Sequence, residues 1–177
     1  NTRLILEPKI VGSNIGLQYI NGKLNKAIND NSRDITEKIK TLSSVPNFIP
    51  IKHRLEIRGV VYINENKSNK KIITEFKSSK TDSTKQNEFN FCAFQIFHCK
   101  INQFQALKEL NNLNFQIPET QFTNFISDID IYINCWKEGK LFQHYPTNGI
   151  VLKINSRKLQ KNLGDNNLSR NWAYAIK

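Results

Sequence analysis

Short apolar or alternating runs broken by polar turns fill the first third of the chain. Leu4-Ile5-Leu6 and Ile15 to Ile20 read as strands, and Asn21-Gly22 joins the second of these to Lys23 to Ile28. An Asn-Gly pair between alternating runs predicts a hairpin, because both central positions of the favoured turn need positive φ. Ile35, Ile39 and Leu42 then fall at i, i+4 and i+7 and predict a short amphipathic helix, capped at Ser32 or Asp34 and ended before Pro46. Leu55 to Ile63 and Phe89 to Ile101 read as strands, and Gln103 to Asn111 as a helix. Phe122, Phe125, Ile126, Ile129 and Ile133 recur at helical spacing and predict the core face of a helix within 120–136. Ile150 to Ile154 and Trp172 to Lys177 are the last predicted strands. Residues 64 to 88 are mostly polar, carry Lys67, Lys70, Lys71, Lys77, Lys80 and Lys85, and read as a mobile basic excursion. With no repeat and no linker long enough to divide the chain, the pattern predicts one α+β domain over 1–177, built of antiparallel sheets with short flanking helices.

Composition changes this picture in two ways. The 26 Lys+Arg against 15 Asp+Glu give a net charge of +11, which favours a polyanionic partner, since neutralised phosphates release counterions. The 24 Asn, 20 Lys and 23 Ile match the bias of an AT-rich genome, so part of the basic surface reflects composition alone. No apolar run approaches the roughly 18 residues of a membrane span, and no charged-then-apolar leader opens the chain. A location in the cytoplasm, with the nucleoid, or in an organelle is expected, with no membrane partner. Cys92, Cys99 and Cys135 form no close pair and His53, His98 and His144 are scattered, so neither disulfides nor a metal site is expected. The absence of Met and the start at Asn1 suggest a fragment or processed domain.

The chemistry resides in separated segments. Glu7-Pro8-Lys9-Ile10-Val11-Gly12 comes first, Leu55-Glu56-Ile57-Arg58-Gly59-Val60-Val61-Tyr62 follows, and Asn148-Gly149-Ile150-Val151-Leu152-Lys153 precedes the closing Ser169-Arg170-Asn171-Trp172-Ala173-Tyr174-Ala175-Ile176-Lys177. Between them stand NGKLNKAI at 21–28, DITEKIKTLSSVP at 34–46 and LQKNLG at 159–164. In this order the segments resemble the nucleotidyltransferase motifs of NAD-dependent DNA ligases, and the likeness to that family's adenylation domain covers nearly the whole chain. One Lys-x-x-Gly is weak, whereas ordered agreement at six or more segments is specific. ATP-dependent ligases and capping enzymes share the lysine motif, but the closing segment and NGKLNKAI are similar to the NAD-dependent branch.

The resemblance implies an ATP-grasp-like ligase adenylation fold around a nucleotide cleft. It also implies AMP transfer from NAD to a lysine, then to a DNA 5′ phosphate, with nick sealing by a 3′ hydroxyl in replication and repair. Lys9 matches the lysine nucleophile, whose amine is freed by desolvation and nearby cations. Glu7 matches a residue near the adenine, Phe94 an aromatic that stacks on the base, and Lys153 and Lys177 the lysines at the α-phosphate. The implied partners are NAD or AMP and nicked duplex DNA or another nucleic acid, with further ligase modules in a longer chain.

Three positions depart from the family pattern. Val11, Val60 and Asn148 stand where carboxylates are expected to bind the ribose and a magnesium ion, so metal binding is placed in doubt. A glycine-rich loop is shortened to Asn29 to Thr36, and an Asn-Pro-Arg-Asn loop has no counterpart. The modules for nicotinamide mononucleotide recognition, the OB-fold, the zinc module and the helix-hairpin-helix are not among these 177 residues. Two readings follow: a divergent adenylation domain, or a catalytically impaired pseudo-nucleotidyltransferase that binds nucleic acid or protein through a basic surface.

Overall fold

Nearly strict alternation in Ser13–Ile20 (β2) buries Ser13, Ile15, Leu17 and Tyr19 on one face. Asn21 and Gly22, both at positive φ, turn the chain into Lys23–Asn29 (β3) as the pairing rule predicts. This hairpin belongs to a four-stranded antiparallel sheet of order β3-β2-β4-β5, completed by Leu55–Tyr62 (β4) and Asn90–Ile96 (β5). A second four-stranded antiparallel sheet has the order β6-β1-β7-β8, from Leu4–Ile10 (β1), Gln121–Thr123 (β6), Thr147–Ile154 (β7) and Ala173–Ile176 (β8). The computed structural model behind this description covers residues 3–64, 88–97, 99–164 and 170–177. All but the end residues of the basic stretch at 64–88 therefore lie outside the described residues.

The chain divides into two compact units, one per sheet. The first comprises Asn1–Ile10, Lys100–Gln105 and Pro118–Lys177, and the second Val11–Cys99 and Ala106–Ile117. In the second unit Tyr19, Phe91 and Phe115 meet edge to face over a core with Leu17, Ile57 and Leu110. Gly59 is required there, because a Cβ would lie 2.2 Å from the Phe91 ring. The predicted first helix is a single short turn, Thr36–Lys40 (α1). Asp34 holds its start by accepting from the Thr36 backbone N–H at 3.0 Å, whereas Ser32 sits at positive φ in the preceding turn. The helix expected from Gln103 runs over Gln103–Asn112 (α2), and β5 ends at Ile96, short of the predicted Ile101.

The predicted helical face at 122–133 is corrected. Phe122 lies in β6, paired with Ile5, and Phe125 and Ile126 are exposed at 59% and 79%. A helix starts only at Ile129, over Ile129–Lys137 (α3). The Thr123 hydroxyl breaks the periodic pattern by accepting from the Phe125 N–H at 2.9 Å and meeting the Asp128 carboxylate at 2.5 Å. A local side-chain turn thus outcompetes the helical ladder. Further along, Tyr132, Ile133 and Trp136 cover the buried Leu6, Phe142 and Ile150. A fourth helix, Arg157–Leu163 (α4), has Ser156 as its cap and Gly164 at its end, and periodicity alone did not predict it.

Candidate active site

Register in the first sheet sorts its side chains by face. Leu6 pairs with Leu152, Glu7 with Val151 and Pro8 with Ile150. Leu6, Ile150 and Leu152 therefore face the Phe142 cluster, and the opposite face carries Glu7 and Lys153. There the Lys153 ammonium donates to Glu7 Oε2 at 2.6 Å, with both side chains almost fully buried. Gln103 Nε2 donates to the other carboxylate oxygen at 3.3 Å. Water excluded from these charges is replaced by partners, as buried ions require.

Lys9 lies two residues further along β1, where the ladder slips between Pro8 and Ile10. Ile10 pairs with Thr147, so Lys9 alone faces Asn148 and Gly149, a bulge whose extra residue lies in β7. Its ammonium donates to Asn148 Oδ1 at 2.7 Å. Partial burial, and then the positive charge of Lys177, hold its pKa below the usual lysine value. Both effects favour the neutral, nucleophilic amine, and the amide of Asn148 orients the group without adding a counter-charge.

Gly149 makes the approach of Lys177 possible. Its φ of +151° suits glycine, and a Cβ there would stand 2.1 Å from the Ile176 carbonyl oxygen. The last strand thus closes against a residue with no side chain and delivers Lys177 beside Lys9.

Phe94 belongs to the other unit. Arg58 pairs with Gln95 and Gly59 with Ala93, which leaves Phe94 as the extra, half-buried residue of a bulge in β5. The sheet that carries it is not the one that gathers Glu7, Lys9, Lys153 and Lys177.

The sequence profile of the NAD-dependent DNA ligase adenylation domain matches residues 1–93 and 75–177. The chain belongs to the adenylation domains of NAD-dependent DNA ligases. It is 29% identical over 203 residues to a DNA ligase of Mesoplasma florum, a match spanning 100% of this chain and 30% of that protein. A DNA ligase of Endomicrobium trichonymphae is 28% identical over 207 residues, with 100% and 31% covered. The chain thus spans about a third of the length of such relatives. Among solved structures, the ATP-dependent DNA ligase of bacteriophage T7 in complex with ATP aligns at a TM-score of 0.59 and 11% identity, covering 88% of this chain and 57% of that one. A putative ATP-dependent DNA ligase from Aquifex aeolicus aligns at 0.58 and 14% identity, with 89% and 42% covered. These likenesses establish the ligase nucleotidyltransferase fold.

The positions that depart from the family pattern do not fit a magnesium ion in this adenylation domain. Val60 is buried, and its methyl group fills the space beside Gly12 where a Cβ would stand 2.4 Å away. Val11 has no donor atom, and the Asn148 oxygen already accepts from Lys9. A hard divalent cation takes charged oxygen ligands, which these three side chains lack. Among the described residues no three His, Cys, Asp or Glu side chains come together as a metal site, and no helix is long and apolar enough to cross a membrane.

Sequence reasoning missed two contacts of this site. Asn148 was legible only as a lost carboxylate, and its place opposite Lys9 comes from the strand register. Gln103 stands 96 positions from Glu7, and no local pattern links them. Asn148 also provides a test: Asn148→Asp is expected to raise the Lys9 pKa, because a carboxylate stabilises the ammonium form. The pH dependence of Lys9 acetylation, followed by peptide mass spectrometry, should shift upward, and an unchanged profile would contradict the amide's role.

Proposed function

We propose that this domain takes AMP from NAD onto the amine of Lys9. The Nζ lone pair attacks the α-phosphorus, an N–P bond forms, and the P–O bond to nicotinamide mononucleotide breaks with its electron pair leaving on that product. The amine proton passes to solvent. Lys177 offsets charge on the phosphate oxygens, since a cation held in place before the reaction needs no reorganisation. Glu7, with one carboxylate oxygen on Lys153 and the other on Gln103, supports this face from within the sheet. The AMP then passes to a 5′ phosphate of nicked duplex DNA, with help from modules that lie elsewhere in the longer relatives.

The observation that carries this reading is the environment of Lys9: its hydrogen-bond partner is a neutral amide, and the charge that bears on it is another amine. Intact mass after incubation with NAD, with ATP in parallel, is the test. NAD is expected to add one AMP, and Lys9→Ala to reduce the adduct at least about 10³-fold. An adduct that survives Lys9→Ala would remove Lys9 from the chemistry.

One observation favours the alternative of a basic binding scaffold: no carboxylate stands at positions 11, 60 and 148. That reading expects no adduct with either nucleotide, while salt-sensitive binding to duplex DNA persists.

A further inference from the structure

A second cationic feature of the first unit lies outside the Lys9 site. An open cleft of about 550 Å³ is lined by Arg3, Lys100, Asn102, Asn155, Ser156 and Arg157 among others, and among the described residues none that lines it carries a carboxylate. Its three cations come from chain segments far apart in sequence, so neither a charge run nor a single loop accounts for their meeting. No motif that carried the family assignment calls for a charge at these three positions.

The cleft is held by backbone as well as side chains. Asn155 joins the three segments: its N–H donates to the Arg3 carbonyl at 3.0 Å, and its own carbonyl accepts from the Gln103 N–H at 3.0 Å. The Asn155 side-chain oxygen accepts from the Phe104 N–H, also at 3.0 Å. Asn102 and Gln105 cap each other reciprocally, each side-chain oxygen accepting from the other's backbone N–H at 2.9 and 3.2 Å. Both guanidinium groups are held by a neighbouring side chain. Arg157 Nη1 donates at 2.9 Å to Gln160, whose buried side chain is anchored in turn on the Ile154 carbonyl. Arg3 lies with its guanidinium carbon 4.5 Å from the centre of the Phe122 ring, a cation–π contact that holds the group over the ring.

We propose that this cleft is a phosphate-binding site, distinct from the Lys9 face, which grips a phosphodiester of the nucleic-acid backbone. Two guanidinium forks and an ammonium, with side-chain amides and a hydroxyl between them, match the tetrahedral oxygens of a phosphate group. The cleft is open to solvent, as a continuous strand requires, and among the described residues no aromatic ring lines it to read a base. Binding there is therefore indifferent to sequence.

The test uses the full chain with a fluorescent 20-base-pair duplex, in both the native and Lys9→Ala backgrounds, so that failure of the AMP chemistry and failure of this site are told apart. Lys100→Gln, Arg157→Gln and Arg3→Gln are each expected to weaken binding several-fold for all sequences and to lower the salt slope by about one. Lys23→Gln removes the same charge from the other unit and sets the baseline for net charge alone. Lys100 is exposed, so its variant keeps the test informative if either arginine variant melts early. Equal losses in the cleft variants and in Lys23→Gln would overturn the proposal. A parallel titration with pyrophosphate, followed by amide NMR shifts at 102–105 and 155–157, distinguishes the source of the phosphate. Weak shifts with strong duplex dependence support the backbone. Tight, saturable pyrophosphate binding that the variants abolish, with duplex affinity unmoved, keeps the phosphate site but overturns its assignment to nucleic acid.

Discussion

Glu7→Gln is expected to lower the unfolding free energy by about 3–5 kcal/mol in urea titration at neutral pH, a large effect for a change that keeps the side chain's size and hydrogen-bonding reach. The cause is the charge it leaves behind. Lys153 and Glu7 are 5% and 3% exposed, and their 2.6 Å contact is what compensates the ammonium for lost hydration. Removal of one member costs far more than removal of both, so Glu7→Leu combined with Lys153→Met should recover most of the loss, with a coupling energy of at least about 2 kcal/mol across the cycle. The loss should also resist added salt, because buried pairs are poorly screened. A cost below about 1 kcal/mol for the single variant would mean that the pair is wetter than its geometry indicates.

Gly149→Ala comes second in expected size. The residue's φ of +151° costs a β-carbon-bearing side chain about 1–3 kcal/mol, and the added carbon meets the Ile176 oxygen at 2.1 Å, so the backbone of the last strand must move. Displacement of that strand should carry Lys177 away from Lys9. The variant is therefore expected to lose about 3 kcal/mol or more and, independently, to return the Lys9 pKa toward the ordinary lysine value, read by the acetylation profile described above. Lys177→Ala is the control: it should reproduce the rise in the Lys9 pKa with little loss of stability. If Gly149→Ala leaves the Lys9 profile unchanged, the last strand does not depend on this glycine for its position.

Much of the scaffold was legible because strand alternation and turn chemistry are local. The β2–β3 hairpin follows from Asn21-Gly22, and the helix read over Gln103 to Asn111 is α2. The false helix at 122–133 shows the limit of periodicity, since a strand partner and the Thr123 hydroxyl decided the matter from outside the pattern. At the candidate site, Lys9 and the two other lysines were singled out by resemblance, and the sheet register explains how Glu7 meets Lys153 and Lys9 meets Asn148 from strands more than 130 residues apart in sequence. What no sequence pattern carried is their pairing. Glu7 was assigned to adenine and Lys153 to phosphate, and the fold sets the two against each other in a dry contact. Likewise the departure at Asn148 was visible as chemistry lost, but its gain, a neutral hold on Lys9, needed the bulge between Pro8 and Ile10.

The crowding of Lys9 and Lys177 has an energetic corollary. Each ammonium disfavours the other, and the protein bears that modest repulsion as long as nothing intervenes. An anion that settles between them both attracts each amine and relaxes their mutual repulsion, so part of its affinity is stored in the fold before it arrives.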